Sequence, residues 1–166
     1  MSWILPESFP PDKKKLNSLS RQTLKSTCSE ETIEIGKKIA KNLNKGSIVA
    51  IKGKIGAGKT CLVKGIGQFF GIEDITSPTY TIISEHEAKF QGKSLAFYHI
   101  DAYRLNGDDD FSLMGGEEYL YGSGIAVIEW SERISGSIPA NAIYIEIEVS
   151  KDNSRIIHII NMDNVE

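Results

Sequence analysis

The chain has 166 residues, enough for one domain with a buried core and too few for two ordinary domains. Hydrophobic residues make up 40% and charged residues 25%, as in globular proteins, and no apolar run approaches the roughly 18 residues of a membrane span. A net charge of −3 and a pI of 5.7 argue against broad binding of nucleic acid through its phosphates. The chain lacks the apolar stretch of a secretory signal, and Cys28 and Cys61 have no metal-ligand spacing, so we expect a reducing, cytoplasmic setting with no membrane contact.

Residues 1–28 differ from the rest of the sequence. They contain three prolines, many serines, five basic residues and two acidic residues, a net charge of +3. The net charge of residues 29–166 is therefore −6. This composition predicts a flexible N-terminal tail, followed by a single domain over residues 29–166. The tail is interpreted as solvated, with an arm that contacts RNA or a partner as the alternative.

Apolar periodicity then predicts alternating helices and strands. A helix begins near Ser29, which can cap it, and its apolar face is formed by Ile33, Gly36, Ile39, Ala40 and Leu43. The β-branched stretch "SIVAIK" predicts a buried strand, and "GKTCLVKGIGQFFG" predicts a helix closed by Gly71. Two further apolar stretches end in carboxylates, at Asp101 and Glu129. Near the end of the chain, "AIYIEIEVS" and "SRIIHIIN" alternate at period two across the turn "KDN", as a β-hairpin does.

The loop Gly53–Thr60, "GKIGAGKT", fits the phosphate-binding pattern G-x-x-x-x-G-K-[ST] between a strand and a helix. Glycines let successive N–H groups turn toward one anion, and the positive end of the next helix adds to their field. We expect Lys59 to reach the β- and γ-phosphates and the Thr60 hydroxyl to ligate Mg²⁺. The predicted cradle consists of Ile55, Gly56, Ala57, Gly58, Lys59, Thr60 and Cys61.

Asp101 and Glu129 both end predicted strands, so both can face this loop at the carboxyl edge of a parallel sheet. Magnesium takes one or two carboxylates together with phosphates and water. The spacing alone leaves open which carboxylate holds the metal and which orients a water.

The nucleotide is expected to be ATP, because the N-K-x-D and D-x-x-G motifs of GTPases are absent from the sequence. Three classes of protein fit so far: an ATPase, a small-molecule kinase, and a module that holds ATP as a static switch. Kinases of this kind usually close an arginine-bearing lid, and only Arg104 and Arg133 lie between the loop and the final hairpin, which weakens the kinase interpretation.

Four segments together resemble one family. "GKIGAGKT", "SPTYTIISEHE", "FYHIDAYRL" and "IAVIEWSERI" match, in order and spacing, the TsaE family of bacterial ATPases in tRNA threonylcarbamoyladenosine synthesis. The resemblance extends from about Ser29 to Val149. It implies a P-loop NTPase fold: an α/β fold with a central, mostly parallel sheet flanked by helices, here with a C-terminal β-hairpin.

The resemblance also implies a weak, Mg²⁺-dependent ATPase that acts inside a complex. Its partners would be TsaD, which carries out the threonylcarbamoyl transfer, and TsaB. ATP hydrolysis would reset their assembly between turnovers, and tRNA would be contacted only through the complex.

Carried over by position, Thr60 and Glu129 would be the Mg²⁺ ligands, and Asp101 would orient the attacking water with Lys59 beside it. Ser77-Pro78-Thr79 would be a switch segment that senses the γ-phosphate. Trp130 would lie near the nucleotide. A stimulating arginine would be either Arg133 or a residue of a partner.

Overall fold

The computed structural model describes residues 19–77 and 81–166, which form a sheet of seven strands with helices on both faces. The strands are β1 (Arg21–Ser26), β2 (Ile48–Gly53), β3 (Ile83–Phe90), β4 (Lys93–Asp101), β5 (Ile125–Glu129), β6 (Ile143–Val149) and β7 (Arg155–Ile160). The helices are α1 (Ser29–Ala40), α2 (Lys59–Phe69), α3 (Asp108–Leu113) and α4 (Glu117–Leu120), and a 3-10 helix covers Ser131–Ile134. Within these residues, none of the helices has the length and apolar character needed to cross a membrane.

The strand order is β1-β7-β6-β2-β5-β4-β3. The four middle strands, β6, β2, β5 and β4, are parallel, and antiparallel pairs lie on either side of them. The predicted α/β architecture with a parallel centre and a C-terminal hairpin, β6–β7, is therefore confirmed. Parallel pairing also brings the carboxyl ends of β2, β5 and β4 to one edge, where the predicted phosphate loop follows β2.

Two apolar layers explain why β2 and β5 are almost continuously hydrophobic. Val49 and Ile51 of β2 pack under α1 and α2 on one face, whereas Ile48 and Ala50 pack under α3, α4 and the 3-10 helix on the other. A strand covered on both faces has no solvent side, so it loses the usual alternation of polar and apolar residues.

Helices α1 and α2 lie unusually close together. A Cβ atom placed on Gly36 of α1 would come within 2.4 Å of the Leu62 carbonyl oxygen, and one on Gly65 of α2 within 2.0 Å of the Ile33 carbonyl oxygen. Only glycine at both positions permits this approach. The contact fixes α2, and with it the loop that opens this helix.

The predicted tail boundary at residue 28 is wrong for Arg21–Ser26. This segment forms the edge strand β1, paired antiparallel with β7 so that Arg21 faces Ile160 and Ser26 faces Arg155. One apolar residue, Leu24, among exposed polar neighbours gives a weak local signal, and the partner strand lies more than a hundred residues away. The remainder of the predicted tail, residues 1–18, lies outside the described residues.

The start and the face of α1 also differ from expectation. Cys28, not Ser29, is the N-cap residue, and the Thr27 backbone N–H instead donates to Glu31 Oε2 at 2.6 Å. Ile33, which was expected on the buried face, is only half-buried. Thr32 and Ile35, which were not expected there, are buried. The buried face of the helix is therefore shifted slightly from the predicted apolar face.

Candidate functional site

The loop between β2 and α2 has the geometry of an anion cradle. Gly58, the N-cap of α2, has a φ of +101°, a backbone conformation that side chains with a Cβ rarely adopt. Among the described residues, no side chain caps α2, so its first N–H groups remain available at the positive end of the helix. These donors lie in the segment Ile55–Cys61 that the sequence predicts to hold phosphate.

Lys59, the first residue of α2, turns back over the loop and is only 5% exposed. Its Nζ donates to the carbonyl oxygens of Gly53 at 2.6 Å and Lys54 at 2.8 Å. Burial lowers the pKa of Lys59, and the nearby carboxylates of Glu129, Glu132 and Asp101 oppose that shift. The ammonium is thus a partly desolvated donor at the mouth of the cradle.

Thr60 and Glu129 meet across the sheet edge. The Thr60 hydroxyl donates to Glu129 Oε1 at 3.0 Å and lies 2.9 Å from the Ser77 hydroxyl. Glu129 ends β5 and is only 3% exposed. These hard oxygen donors beside a phosphate cradle fit the preferences of Mg²⁺.

Within residues 19–77 and 81–166, no cluster of three or more His, Cys, Asp or Glu side chains could hold a metal.

Asp101 lies next to Glu129, since the two residues pair in register at the ends of β4 and β5. Asp101 Oδ1 accepts the backbone N–H of Tyr103 at 3.0 Å. The two carboxylates predicted from sequence therefore share one edge but differ in their contacts. Glu129 is tied to the loop through Thr60, and Asp101 is tied to the segment after its own strand.

Glu129 has a further partner that the sequence did not assign to it. His99 of β4 is fully buried, and its Nε2 lies 2.5 Å from Glu129 Oε2. Strand pairing explains this contact, because His99 stands opposite Val127 on β5, two residues before Glu129.

Trp130 covers the inner side of the loop. Its ring centre lies 4.2 Å from Lys59 Nζ, a cation–π distance, and 4.8 Å from the ring centre of Tyr103. Trp130 has a φ of +56°, uncommon for a bulky residue and typical of functional segments. The Arg133 guanidinium lies 5.2 Å from the Tyr103 ring centre, so this arginine borders the site.

Arg155, at the start of β7, braces the loop from the opposite side. Its Nε donates to the Ala57 carbonyl oxygen at 3.3 Å, and a terminal nitrogen donates to the Gly56 carbonyl oxygen at 3.1 Å. Sequence reasoning missed this residue. It lies 98 positions from Ala57 in an alternating strand, and nothing local distinguishes it from any other exposed strand arginine.

A cleft of about 770 Å³ opens between the first half of the loop and β6. Its lining includes Lys52, Ile55, Trp130, Glu132 and Glu146. Lys52 Nζ and Glu146 Oε1 lie 3.9 Å apart and form an ion pair. In contrast, Glu132 Oε2 is buried and has no hydrogen-bond partner among the described residues. Burial raises the pKa of Glu132, and this carboxyl was not anticipated from the sequence.

The structure thus brings the predicted residues Lys59, Thr60, Asp101 and Glu129 to one edge of the sheet. Cys61 follows on α2 as a half-buried free cysteine. Of the predicted switch segment, Ser77 contacts Thr60, and Pro78 and Thr79 lie outside the described residues.

The fold and the loop define a P-loop protein, and comparison with known proteins narrows the class. The sequence model of the TsaE family, which is described as "Threonylcarbamoyl adenosine biosynthesis protein TsaE", matches residues 26–157 of this chain. This chain belongs to the TsaE family.

Individual relatives agree with that placement. A tRNA threonylcarbamoyladenosine biosynthesis protein TsaE of Treponema pallidum is 38% identical over 81% of this chain and 96% of its own length. The protein of the same description from Bacillus subtilis is 35% identical over 76% of this chain and 77% of its own length. The crystal structure of Bacillus subtilis YdiB superimposes with a TM-score of 0.67 at 31% identity, covering 86% of each chain.

Proposed function

We propose that this chain binds ATP with Mg²⁺ and hydrolyses it slowly, as the nucleotide-dependent component of tRNA threonylcarbamoyladenosine biosynthesis. Membership of the TsaE family gives the chain its role in that pathway. The single observation that carries the nucleotide chemistry is the contact between Thr60 and Glu129 beside the Lys59 loop. This contact places two hard oxygen ligands, the Thr60 hydroxyl and the Glu129 carboxylate, directly beside the phosphate cradle.

Binding begins with the loop. The N–H groups of Ile55–Cys61 hold the phosphates, and the Lys59 ammonium exchanges the carbonyl oxygens of Gly53 and Lys54 for phosphate oxygens. Thr60 and Glu129 hold Mg²⁺, which when bound neutralises charge on the β- and γ-phosphates. Trp130 keeps one wall of the site apolar beside the ammonium.

Hydrolysis needs a positioned water. The carboxylate of Asp101 is held in place by the Tyr103 N–H on Oδ1, so Oδ2 accepts a hydrogen bond from water and aims its oxygen at the γ-phosphorus. Attack releases ADP and phosphate, and the proton of the water leaves through Asp101 to solvent. Lys59 stabilises the charge that builds on the phosphoryl oxygens.

The proposal extends to partners. TsaB and TsaD would dock over this edge, where Tyr103 is 43% exposed beside Trp130, and ATP hydrolysis would reset their assembly between turnovers. The acidic net charge of the chain supports contact with tRNA only through the complex. The site of action would be the cytoplasm.

The decisive experiment measures phosphate release from ATP by the purified chain, alone and with TsaB and TsaD from the same source. We expect a slow basal rate that rises with the pair and falls again in Asp101→Ala. Transfer of phosphate to a metabolite would identify a kinase instead. Tight ATP binding without release under any condition would identify a static switch.

A further inference from the structure

His99 and Glu129 form a buried pair behind the phosphate loop. His99 Nε2 lies 2.5 Å from Glu129 Oε2, and the two side chains are 0% and 4% exposed. The contact crosses from β4 to β5 inside the parallel part of the sheet, where both backbones are fixed by pairing. A polar contact at this depth is costly unless it is well made, so it holds both groups in one arrangement.

The hydrogen-bond partners of the ring favour a hydrogen on Nε2 rather than on Nδ1. His99 Nδ1 is buried and has no hydrogen-bond partner among the described residues. A hydrogen on Nδ1 would therefore be an unpaired buried donor, whereas a hydrogen on Nε2 is donated to Glu129 Oε2. A ring that carries a hydrogen on Nε2 satisfies the contact with Glu129.

The two oxygens of Glu129 consequently differ. Oε2 accepts from His99 inside the sheet, and Oε1 points to the Thr60 hydroxyl at the loop. Of these two contacts, the one with Thr60 is made at the site assigned to Mg²⁺, and the one with His99 lies behind it. Oε1 is thus the oxygen that the fold presents toward the cradle.

We propose that His99 is the positioning residue of the Mg²⁺ site: it fixes the carboxylate of Glu129 so that Oε1 alone faces the metal, a role that rests on the Mg²⁺ chemistry proposed above. His99 lies behind Glu129 and acts only through this carboxylate. Losing a hydrogen-bonded group behind a metal ligand typically weakens metal affinity about 10- to 100-fold. A histidine that merely filled the core would change stability and leave metal dependence intact.

Two substitutions separate these roles. In His99→Gln the side-chain amide still reaches Glu129 as a donor near the place of Nε2, whereas in His99→Asn the shorter amide stops short of it. The measurement is calorimetric titration with ADP in EDTA and at a series of MgCl₂ concentrations, with thermal unfolding of each variant. We expect His99→Asn to need about tenfold or more Mg²⁺ for the same tightening of ADP binding, with its affinity in EDTA unchanged. His99→Gln should stay within about threefold of the unsubstituted chain in Mg²⁺ dependence.

The controls keep this inference separate from the proposed function. Tyr144→Phe removes another buried hydrogen bond, to the Pro139 carbonyl oxygen, in a residue of β6 outside the site, and should lower stability alone. If Glu129→Gln leaves the Mg²⁺ dependence intact, the metal assignment and the role of His99 both fall. If Glu129→Gln weakens it and His99→Asn does not, only the role of His99 falls. Should His99→Asn not fold, His99→Met decides, because it fills the space of the ring without a donor to Glu129: a tenfold greater need for Mg²⁺ in the folded variant supports the inference, and Mg²⁺ dependence close to that of the unsubstituted chain overturns it.

Discussion

The Thr60 hydroxyl and Glu129 Oε1 lie 3.0 Å apart although 69 positions separate the two residues in the chain. Thr60 is fixed by α2, which packs closely on α1, and Glu129 is fixed at the end of β5 in the centre of the sheet. The two groups are therefore held in place by rigid elements rather than by mobile loops. Preorganisation of this kind lowers the entropic cost of binding a metal–nucleotide complex.

Lys59→Ala should weaken binding of ATP roughly 10²-fold, because charge-assisted hydrogen bonds to the phosphates contribute about 2–3 kcal/mol. In the structure the ammonium already donates to the loop carbonyls, so the substitution also removes a support of the cradle. Calorimetric titration with ATP and Mg²⁺ measures the change. Lys64→Ala, on the same helix, is the matched loss of charge. Equal affinities in both variants would reject the assignment of Lys59.

Asp101→Asn should leave ATP binding within a few-fold and reduce phosphate release by roughly 10²-fold or more, the usual scale for a positioned proton-handling group. Asparagine can still accept the Tyr103 N–H, so the backbone turn after β4 is preserved while the basic oxygen is lost. Single-turnover phosphate release, started with a saturating amount of protein, separates this effect from binding. Asp109→Asn, an exposed position of α3, serves as the control. A large loss of ATP affinity with hydrolysis of the bound fraction unchanged would make Asp101 a binding residue.

Arg155→Met should loosen the phosphate loop without disturbing the sheet. The substitution keeps the aliphatic length of the side chain but removes the donors to the Gly56 and Ala57 carbonyl oxygens. We expect about 3- to 10-fold weaker ATP binding, equivalent to roughly 1 kcal/mol for a partly exposed hydrogen-bond pair, and little change in Tm. Arg21→Met, on the neighbouring strand β1, is the comparison variant. Unchanged ATP affinity in Arg155→Met, measured by calorimetry, would show that the loop needs no brace from β7.

The residues of the site that sequence could predict are those with a local signature. Gly58, Lys59 and Thr60 belong to one spaced motif between a strand and a helix, and Asp101 and Glu129 each end an apolar run. Parallel pairing then brings these groups together, since all such strands end at the same edge of the sheet. The parallel centre itself was expected from the resemblance to the TsaE family, and the strand pairing agrees with that expectation.

The parts that sequence could not predict depend on partners far along the chain. The edge strand β1 exists because β7 offers it a free side, and its own residues are mostly polar. Arg155 reaches the loop only because β7 lies beside it, and His99 meets Glu129 only through the register of β4 and β5. Side-chain contacts between elements distant in sequence leave no periodic trace in either segment.

Glu132→Gln should stabilise the protein near neutral pH. Burial raises the pKa of Glu132 above its ordinary value of 4.5, with Lys52, Lys59 and Arg133 only partly offsetting the cost of the buried charge. Between 4.5 and the raised value the folded protein binds more protons at this site than the unfolded chain does. The contribution of Glu132 to the free energy of unfolding is therefore largest below about pH 4.5, and it is lost as the pH rises through the pKa of this group in the folded protein.

Glutamine carries no charge at any pH, so the stability of the variant does not fall through ionisation at this position. Chemical denaturation at pH 4 and at pH 7 should show little difference between the two proteins at pH 4. At pH 7 the variant should be more stable by about 1 kcal/mol, a low-end value because solvent partly screens the side chain, or about 2–4 °C in Tm. Glu148→Gln, an exposed carboxylate of the same cleft, is the comparison variant that removes a charge without relieving a buried one. A gain in Glu132→Gln that is equally large at pH 4 would mean that packing, rather than the buried charge, is what the substitution improves.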